Sequence, residues 1–224
     1  MIFTFLIVFL TFNAPDNLPE KSVNETSESL SGAQSIYQEL NNKHLPFEAF
    51  EMAYNGWLKL KDSVHFEKNI ITLVDFSQPS THKRFFLIDI DSKSVIYQNY
   101  VAHGKNSGML NAEKFSNIAN SNQSSLGFYK TGETYYGKHG LSLKLDGLEK
   151  GINDKARERH IVIHKADYAE ESFIKKYGRL GRSFGCPAIP SANYQFVIDN
   201  IKEGTMLFIY HPKATYIKTS SILN

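Results

Sequence analysis

The sequence predicts a mainly β fold with flanking helices. Short runs of β-branched and aromatic residues recur after residue 68, beginning with residues 70–76 and 85–90, and such runs are typical of strands. Turn-forming residues separate them, as at residues 91–94 before a return strand over 95–101. On both sides of this region the apolar residues recur at helical spacing instead. With 42% hydrophobic and 13% aromatic residues, the 224-residue chain can build one sizeable core.

The N-terminal segment predicts export. Residues 1–12 form an apolar run with the length of a secretory h-region, below the about 20 residues that span a bilayer. Residues 1–14 are therefore predicted to be a signal peptide. No Lys or Arg precedes the run and no small-residue cleavage site follows it, so a buried strand or helix of the mature fold is the alternative. Residues 15–35, rich in Ser, Asn, Glu and Pro, are predicted to be a polar linker.

Residues 36–62 are predicted to be a helical N-terminal extension packed on the domain. Pro46 suits the first turn of its second helix. An aromatic stripe at helical spacing then predicts the face that covers the sheet, formed by Phe47, Phe50, Tyr54, Trp57 and Leu58.

The domain itself is predicted over residues 68–212, and residues 213–224 are predicted to be a polar tail. Near the end of the domain, apolar residues share one face of a helix that starts close to residue 194. Further strands are predicted around residues 126–129, 141–145, 161–163 and 206–210.

Charge and ligand patterns exclude several classes of function. A net charge of +2, from 25 basic and 23 acidic residues that are scattered along the chain, gives no nucleic-acid footprint. His160 and His164 flank strand-forming residues, and on a strand positions i and i+4 lie about 13 Å apart. That distance is too long for one zinc ion, and no Cys pair is present. We predict no metal site, no cofactor and no nucleic-acid partner.

The single cysteine, Cys186, lies in the turn Arg-Ser-Phe-Gly-Cys-Pro. An exported protein with one thiol forms no internal disulfide, so Cys186 is either inert packing or a reactive group. Gly185 permits a positive φ and the close approach of a substrate carbonyl, and the amides of Gly185 and Cys186 are available for a developing oxyanion. His164 ends an apolar strand and is the best-placed base. A buried structural cysteine is the alternative.

These residues resemble the active-site signature of the murein L,D-transpeptidase (YkuD-like) catalytic domain family. The resemblance lies in Ile-Val-Ile-His at residues 161–164 and in Gly-Arg-Ser-Phe-Gly-Cys-Pro at residues 181–187. It covers roughly residues 70–210, and three further stretches share it, at residues 101–108, 124–129 and 136–142.

The resemblance implies a fold and a mechanism. The fold is a β-sandwich of mixed sheets with Cys186 and His164 in a surface cleft. Cys186 attacks the carbonyl of the third residue of a peptidoglycan tetrapeptide stem and releases the terminal D-Ala, with His164 as general base. Ser183 orients the imidazole, and the amides of Gly185 and Cys186 form the oxyanion hole.

Substrate contacts are expected from residues around this signature. The guanidinium of Arg182 is a planar cationic fork that suits a donor carboxylate, and a solvated loop charge is its alternative role. His103 and His139 each lie beside a glycine, where a ligand can approach, but a polar loop-packing role is the alternative for both. Gly127 and Tyr129, in a stretch that shares the resemblance, complete the expected set.

The leading hypothesis is an exported enzyme of the periplasm or cell envelope that cross-links peptidoglycan stem peptides through a thioester. An L,D-carboxypeptidase, which resolves the same thioester with water, is the nearest alternative. A non-catalytic cell-wall-binding domain is the alternative from another class, although it has no need of a reactive thiol. A papain-like protease fits less well because the histidine precedes the cysteine.

Overall fold

The computed structural model describes residues 31–224. Within them, eight strands form one mixed sheet in the order β3-β2-β1-β8-β4-β5-β6-β7. The pairs β1–β8 and β6–β7 are parallel and the other neighbours are antiparallel. This confirms the prediction of a mainly β fold, although the strands form one mixed sheet instead of the separate mixed sheets of the predicted sandwich. The strands are β1 (Ile70–Asp75), β2 (Phe85–Asp89), β3 (Ser94–Asn99), β4 (Gly127–Gly137), β5 (Gly140–Gly147), β6 (Val162–Lys165), β7 (Ala188–Ile189) and β8 (Met206–Tyr210).

The two edges of this sheet meet. The chain leaves the edge strand β3 and reaches Ala102, whose N–H donates to the carbonyl of Ala188 in the other edge strand, β7, at 2.8 Å. A bridge between Gly104 and Ser183 extends this junction. The sheet therefore curls on itself, and the junction sets the segment after β3 beside the turn that contains Cys186.

Helices cover the sheet. Five are present in residues 31–224: α1 (Gly32–Leu40), α2 (Phe47–Leu60), α3 (Glu171–Tyr177), α4 (Tyr194–Ile201) and α5 (Ala214–Thr219). Ser31 caps α1 by accepting from the N–H of Gln34, so the last residues of the predicted linker are helical. The aromatic stripe of α2 packs Phe50 and Trp57 into the main core, whereas Leu58 faces solvent.

The segment 213–224 differs from the predicted polar tail. It contains α5, which buries Tyr216, and Ile222 joins the same core. The buried carboxylate of Glu149 holds this end of the chain, because it accepts from the hydroxyls of Tyr216, at 3.1 Å, and Ser220. The segment is therefore part of the folded domain.

The predicted signal peptide and most of the predicted linker lie outside the described residues. Across residues 31–224, no helix has both the length and the apolar character needed to cross a bilayer.

Candidate active site

A tight turn presents Cys186 at the start of β7. The hydroxyl of Ser183 accepts from the N–H of Gly185 at 3.0 Å and donates to the carbonyl of Cys186 at 2.6 Å. Gly185 has a φ of +133°, and a Cβ at this position would stand 2.8 Å from the carbonyl oxygen of Gln123. The turn therefore requires glycine at 185, both for its backbone conformation and for space.

This arrangement corrects two predicted roles. Ser183 does not orient the imidazole of His164, because its hydroxyl closes the turn and its carbonyl accepts from the N–H of Lys105 at 2.7 Å. The amide of Gly185 is also taken, by the Ser183 hydroxyl. In the part of the chain that the structure describes, the amide of Cys186 donates to no other residue, so it is the member of the predicted oxyanion pair that stays available.

The Cys186 thiol is half-buried against the segment that leads into β6. Its Sγ donates to the carbonyl of His160 at 3.6 Å. Burial raises the pKa of the thiol above its ordinary value, while the N–H of Val162 and the positive charge of Arg159 partly oppose this rise. At neutral pH the resting group is therefore a thiol.

The parallel pairing of β6 with β7 sets His164 next to this thiol along the strand. His164 is paired with Ala188, two residues after Cys186, and the thiol contacts the beginning of β6. Val162 and His164 share one face of the strand because side chains alternate. No hydrogen bond joins the imidazole to the thiol among the described residues, since the thiol donates to His160.

The imidazole of His164 has the protonation state of a base. Its Nδ1 lies 2.9 Å from the carbonyl oxygen of Lys165. A carbonyl can only accept, so the ring proton is on Nδ1 and the lone pair is on Nε2. Burial lowers the pKa of His164, and the neighbouring His139 lowers it further. The ring is therefore neutral at pH 7, with a nitrogen ready to accept a proton.

His139 lies over His164. It occupies the exposed turn between β4 and β5, and its ring stacks on that of His164 with the centroids 4.3 Å apart and an angle of 21° between the planes. Tyr168 approaches the same imidazole edge-on, with its centroid at 6.4 Å. Of the expected substrate-contacting histidines, His139 is thus the one that the fold brings to His164 on an exposed surface.

His103 is placed differently from its expected substrate-binding role. Its side chain is fully buried, and both ring nitrogens are engaged: Nδ1 accepts from Arg84 at 2.8 Å, and Nε2–H donates to the carbonyl of Gly108 at 3.3 Å. Burial first, and then the Arg84 charge, lower the pKa of His103 to about 3. His103 therefore holds the 104–108 segment as a neutral ring, in the loop-packing role that was its alternative.

Gly127 and Tyr129 also lie inside the molecule. The hydroxyl of Tyr129 donates to the carbonyl of Ser125 at 3.1 Å, and the residue has no exposed surface. A side chain at Gly127 would overlap the buried carboxylate of Glu149. Both residues therefore pack in the interior of the domain, in contrast to their expected substrate contacts.

Arg182 braces the segment after β3. Its Nη1 donates to the carbonyls of Lys105, at 2.9 Å, and Gly108, at 3.3 Å. His103 and Arg182 therefore hold the same Gly108 carbonyl from two sides. These bonds engage Nη1 alone, so a donor carboxylate would have to bind at the edge formed by Nε and Nη2, which make no hydrogen bond within the described residues.

Two polar residues at this site are not predicted as site residues from the sequence, although one of them, Ser124, falls in the 124–129 stretch that shares the resemblance. The hydroxyl of Ser124 donates to the carbonyl of Gly185 at 3.1 Å, and Arg159 places its charge close to Cys186. Both come from segments that are distant in sequence from the Cys186 turn and carry ordinary polar residues. Among residues 31–224, no three His, Cys, Asp or Glu side chains converge as metal ligands.

The solved structures to which this chain is similar include three bacterial proteins. An L,D-transpeptidase from Mycobacterium smegmatis is 12% identical, with a TM-score of 0.40, over 64% of this chain and 59% of its own length. The helical cell shape determining protein Pgp2 from Campylobacter jejuni (K307A mutant) is 16% identical, with a TM-score of 0.43, over 75% and 57%. An L,D-transpeptidase (Yku) from Stackebrandtia nassauensis is 12% identical, with a TM-score of 0.38, over 80% and 76%.

This chain thus spans less than two thirds of the first two of these structures. No curated protein matches the sequence. The model of the L,D-transpeptidase catalytic domain matches residues 41–210, which include α2 and the whole sheet as well as the Cys186 turn. A match over that share of the sequence shows that the chain belongs to the L,D-transpeptidase catalytic domain family.

Proposed function

We propose that the chain is an exported peptidoglycan L,D-transpeptidase with Cys186 as its nucleophile and His164 as its general base. The observation that carries this proposal is the hydrogen bond from Nδ1–H of His164 to the carbonyl of Lys165, which leaves Nε2 without a partner among the described residues. His164 lies four residues after His160, whose carbonyl the thiol contacts, and pairs with Ala188, two residues after Cys186. A neutral nitrogen beside a neutral thiol is the starting state for nucleophilic catalysis by cysteine.

The first half-reaction forms a thioester. Nε2 of His164 takes the proton of the Cys186 thiol, and the sulfur attacks the carbonyl carbon of the third stem residue. The amide of Cys186 donates to the oxyanion that develops. The bond from that carbon to the nitrogen of the terminal D-Ala then breaks, and the imidazolium returns its proton to the leaving amine.

The second half-reaction regenerates the thiol. The amine of an acceptor stem attacks the thioester carbonyl, a new amide bond forms, and the bond from carbon to sulfur breaks. His164 accepts the excess proton of the amine and passes it to the departing thiolate. Water in place of the amine would give the carboxypeptidase product instead, with the same residues in the same roles.

Export to the periplasm or cell envelope is part of this proposal. It rests on the apolar run of residues 1–12, and on the location of a substrate that lies outside the cytoplasmic membrane.

The test is mass analysis of tetrapeptide muropeptides after incubation with the purified protein. Both activities release free D-Ala, but a transpeptidase yields cross-linked dimers, whereas a carboxypeptidase yields tripeptide muropeptides and no dimers. Cys186→Ala is the matched control, which should leave the substrate unchanged. Unchanged tetrapeptide with the wild-type protein, in a sample shown to be folded, would contradict the proposed activity.

A further inference from the structure

Arg159 lies near the thiol, and its guanidinium makes four hydrogen bonds. It lies in the turn before β6, and its Nη1 donates to the carbonyl of Ser116 and the hydroxyl of Ser125, both at 2.6 Å. Its Nη2 donates to the carbonyl of Gln123 at 2.7 Å and to the hydroxyl of Ser121 at 3.3 Å. These four bonds fix the guanidinium in one place, because a planar fork held on two nitrogens has little freedom to rotate.

The fixed guanidinium stands directly beside the Cys186 turn. A Cβ built on Gly185 would lie 3.5 Å from Nη2 of Arg159 and 2.8 Å from the Gln123 carbonyl that Nη2 holds. The neighbouring Ser124 donates to the carbonyl of Gly185. The same segment therefore holds both the cation and the backbone next to the thiol.

Two titratable side chains near the thiol, His164 and Tyr168, are neutral at pH 7. His164 is neutral because burial lowers its pKa, and Tyr168, whose pKa burial raises, is an uncharged phenol. The thiol donates to the carbonyl of His160, which lies in the segment before β6. His139 stacks on the ring of His164. Arg159 is the cation whose charge bears on Cys186, and the effect is mutual, since the thiolate would favour the charged guanidinium.

We propose that Arg159 is a positioning residue for Cys186, whose fixed positive charge stabilises the thiolate while its hydrogen bonds hold the backbone under Gly185. This extends the proposed function, in which Cys186 must lose its proton in a half-buried site. Burial disfavours the thiolate, and a cation that is held in place offsets that cost without any rearrangement during the reaction.

A purely structural clamp is the competing explanation. Such a clamp would stabilise the 116–125 segment and leave the reactivity of the thiol unchanged. The chain contains one cysteine, so alkylation by iodoacetamide reports on Cys186 alone and needs no turnover. This readout stays valid even if the protein has no activity on muropeptides, which separates the two proposals.

The experiment compares alkylation rates across pH for the full chain and for Arg159→Gln and Arg159→Lys. In Arg159→Gln, the rate at pH 7 should fall on the order of tenfold and its rise with pH should move to higher pH, because the charge is lost. Arg159→Lys keeps a charge but not the fork, so it should retain more of the reactivity. Arg157→Gln is the matched control, since Arg157 pairs with the exposed carboxylates Glu133 and Asp146 and should leave the rate unchanged.

Folding is checked by the melting temperature and circular dichroism of each variant. If Arg159→Gln does not fold, Ser121→Asp decides, because it places a carboxylate at the half-buried Ser121 beside an intact guanidinium and should also slow alkylation. A folded Arg159→Gln or Ser121→Asp protein with the wild-type pH profile of alkylation would overturn the proposal and leave Arg159 a clamp.

Discussion

The regions around His103 and His164 make similar use of a buried histidine but differ in what its nitrogens do. In both, burial is the main cause that lowers the pKa of the imidazole, so both rings are neutral. His103 accepts from Arg84 and donates to Gly108, which leaves neither nitrogen free. His164 donates from Nδ1 to the Lys165 carbonyl, and its Nε2 has no partner among the described residues.

The difference teaches that a perturbed pKa does not by itself identify a base. The pKa of His103 is shifted further than that of His164, yet the His103 ring only connects the buried Arg84 to the carbonyl of Gly108. The free nitrogen, its nearness to a thiol and the exposed ring of His139 above it distinguish His164. His103, which braces a loop, and His164, which can accept a proton, therefore differ in their hydrogen bonds and not in their burial.

The largest expected effect comes from the thiol of the His164 region. Cys186→Ala should abolish turnover, because no second thiol is available. Its melting temperature should stay within a few degrees of the wild type, since the thiol makes one long hydrogen bond and is half-buried. Muropeptide turnover and a thermal melt check both parts. Measurable transpeptidation by the folded variant would remove Cys186 from the mechanism.

The His103 region should respond in the opposite way. His103→Ala leaves the buried guanidinium of Arg84 without one acceptor and the Gly108 carbonyl without one donor, so unfolding should become easier by about 3 kcal/mol. Denaturant titration measures this loss, and kcat/KM corrected for the folded fraction should change much less. A stable His103→Ala protein with strongly reduced kcat/KM would show that His103 acts in the reaction.

The same ring predicts how stability depends on pH. The pKa of His103 is about 3 when folded and 6.5 ordinarily. The unfolded chain therefore takes up a proton that the folded chain refuses, and stability is lost as the pH falls from about 6.5 towards 3. His103→Ala should lose less stability than the wild type over this range in denaturant titrations. An equal loss in both proteins would assign the acid sensitivity to other groups.

A smaller effect is expected where the two regions meet, at Arg182. Arg182→Ala removes two hydrogen bonds to the loop that His103 also holds, so it should cost about 1 kcal/mol of stability. Arg182→Lys should keep part of the stability that Arg182→Ala loses. Donor kinetics of the folded fraction should stay normal. A stable variant whose KM for the donor rises tenfold or more would instead return Arg182 to carboxylate recognition.

The smallest change is expected from His139→Ala. His164 must be neutral to act as a base, so activity falls as the pH drops through its pKa, which lies below the ordinary 6.5. Removal of His139 exposes the His164 ring and ends the lowering of its pKa by His139, and both changes raise the pKa of His164. The acid limb of kcat/KM against pH should therefore move to higher pH. An acid limb at the same pH as in the wild type would show that His139 has no influence on the pKa of His164.

The strands and helices could largely be predicted from the sequence, because their apolar periodicity is local. The continuous apolar runs of β1, β2 and β8 and the apolar face of α4 each depend on a few neighbouring residues. The prediction of a polar tail was wrong because Tyr216 and Ile222 pack into the main core. The hydroxyl of Tyr216 also donates to the carboxylate of Glu149, which is distant in sequence.

The roles of individual polar residues could not be predicted in the same way. His103 and His139 both stand beside a glycine, but the contact between Ala102 and Ala188 directs one inward, while a hairpin turn exposes the other. Arg84 and Arg159 reach their partners only because the sheet edges meet and the 116–125 segment folds back. Such partners are set by tertiary structure, so local sequence does not reveal them.

The contrast between the two histidines is tested most directly by the rate of thioester formation. The protein is mixed with a tetrapeptide muropeptide, and the mass that Cys186 gains is followed by intact-protein mass spectrometry. His164→Gln should form the thioester about 10²–10⁴-fold more slowly than the wild type, whereas folded His103→Gln should form it at close to the wild-type rate. Thioester formation by His164→Gln at the wild-type rate would contradict the assignment of the base.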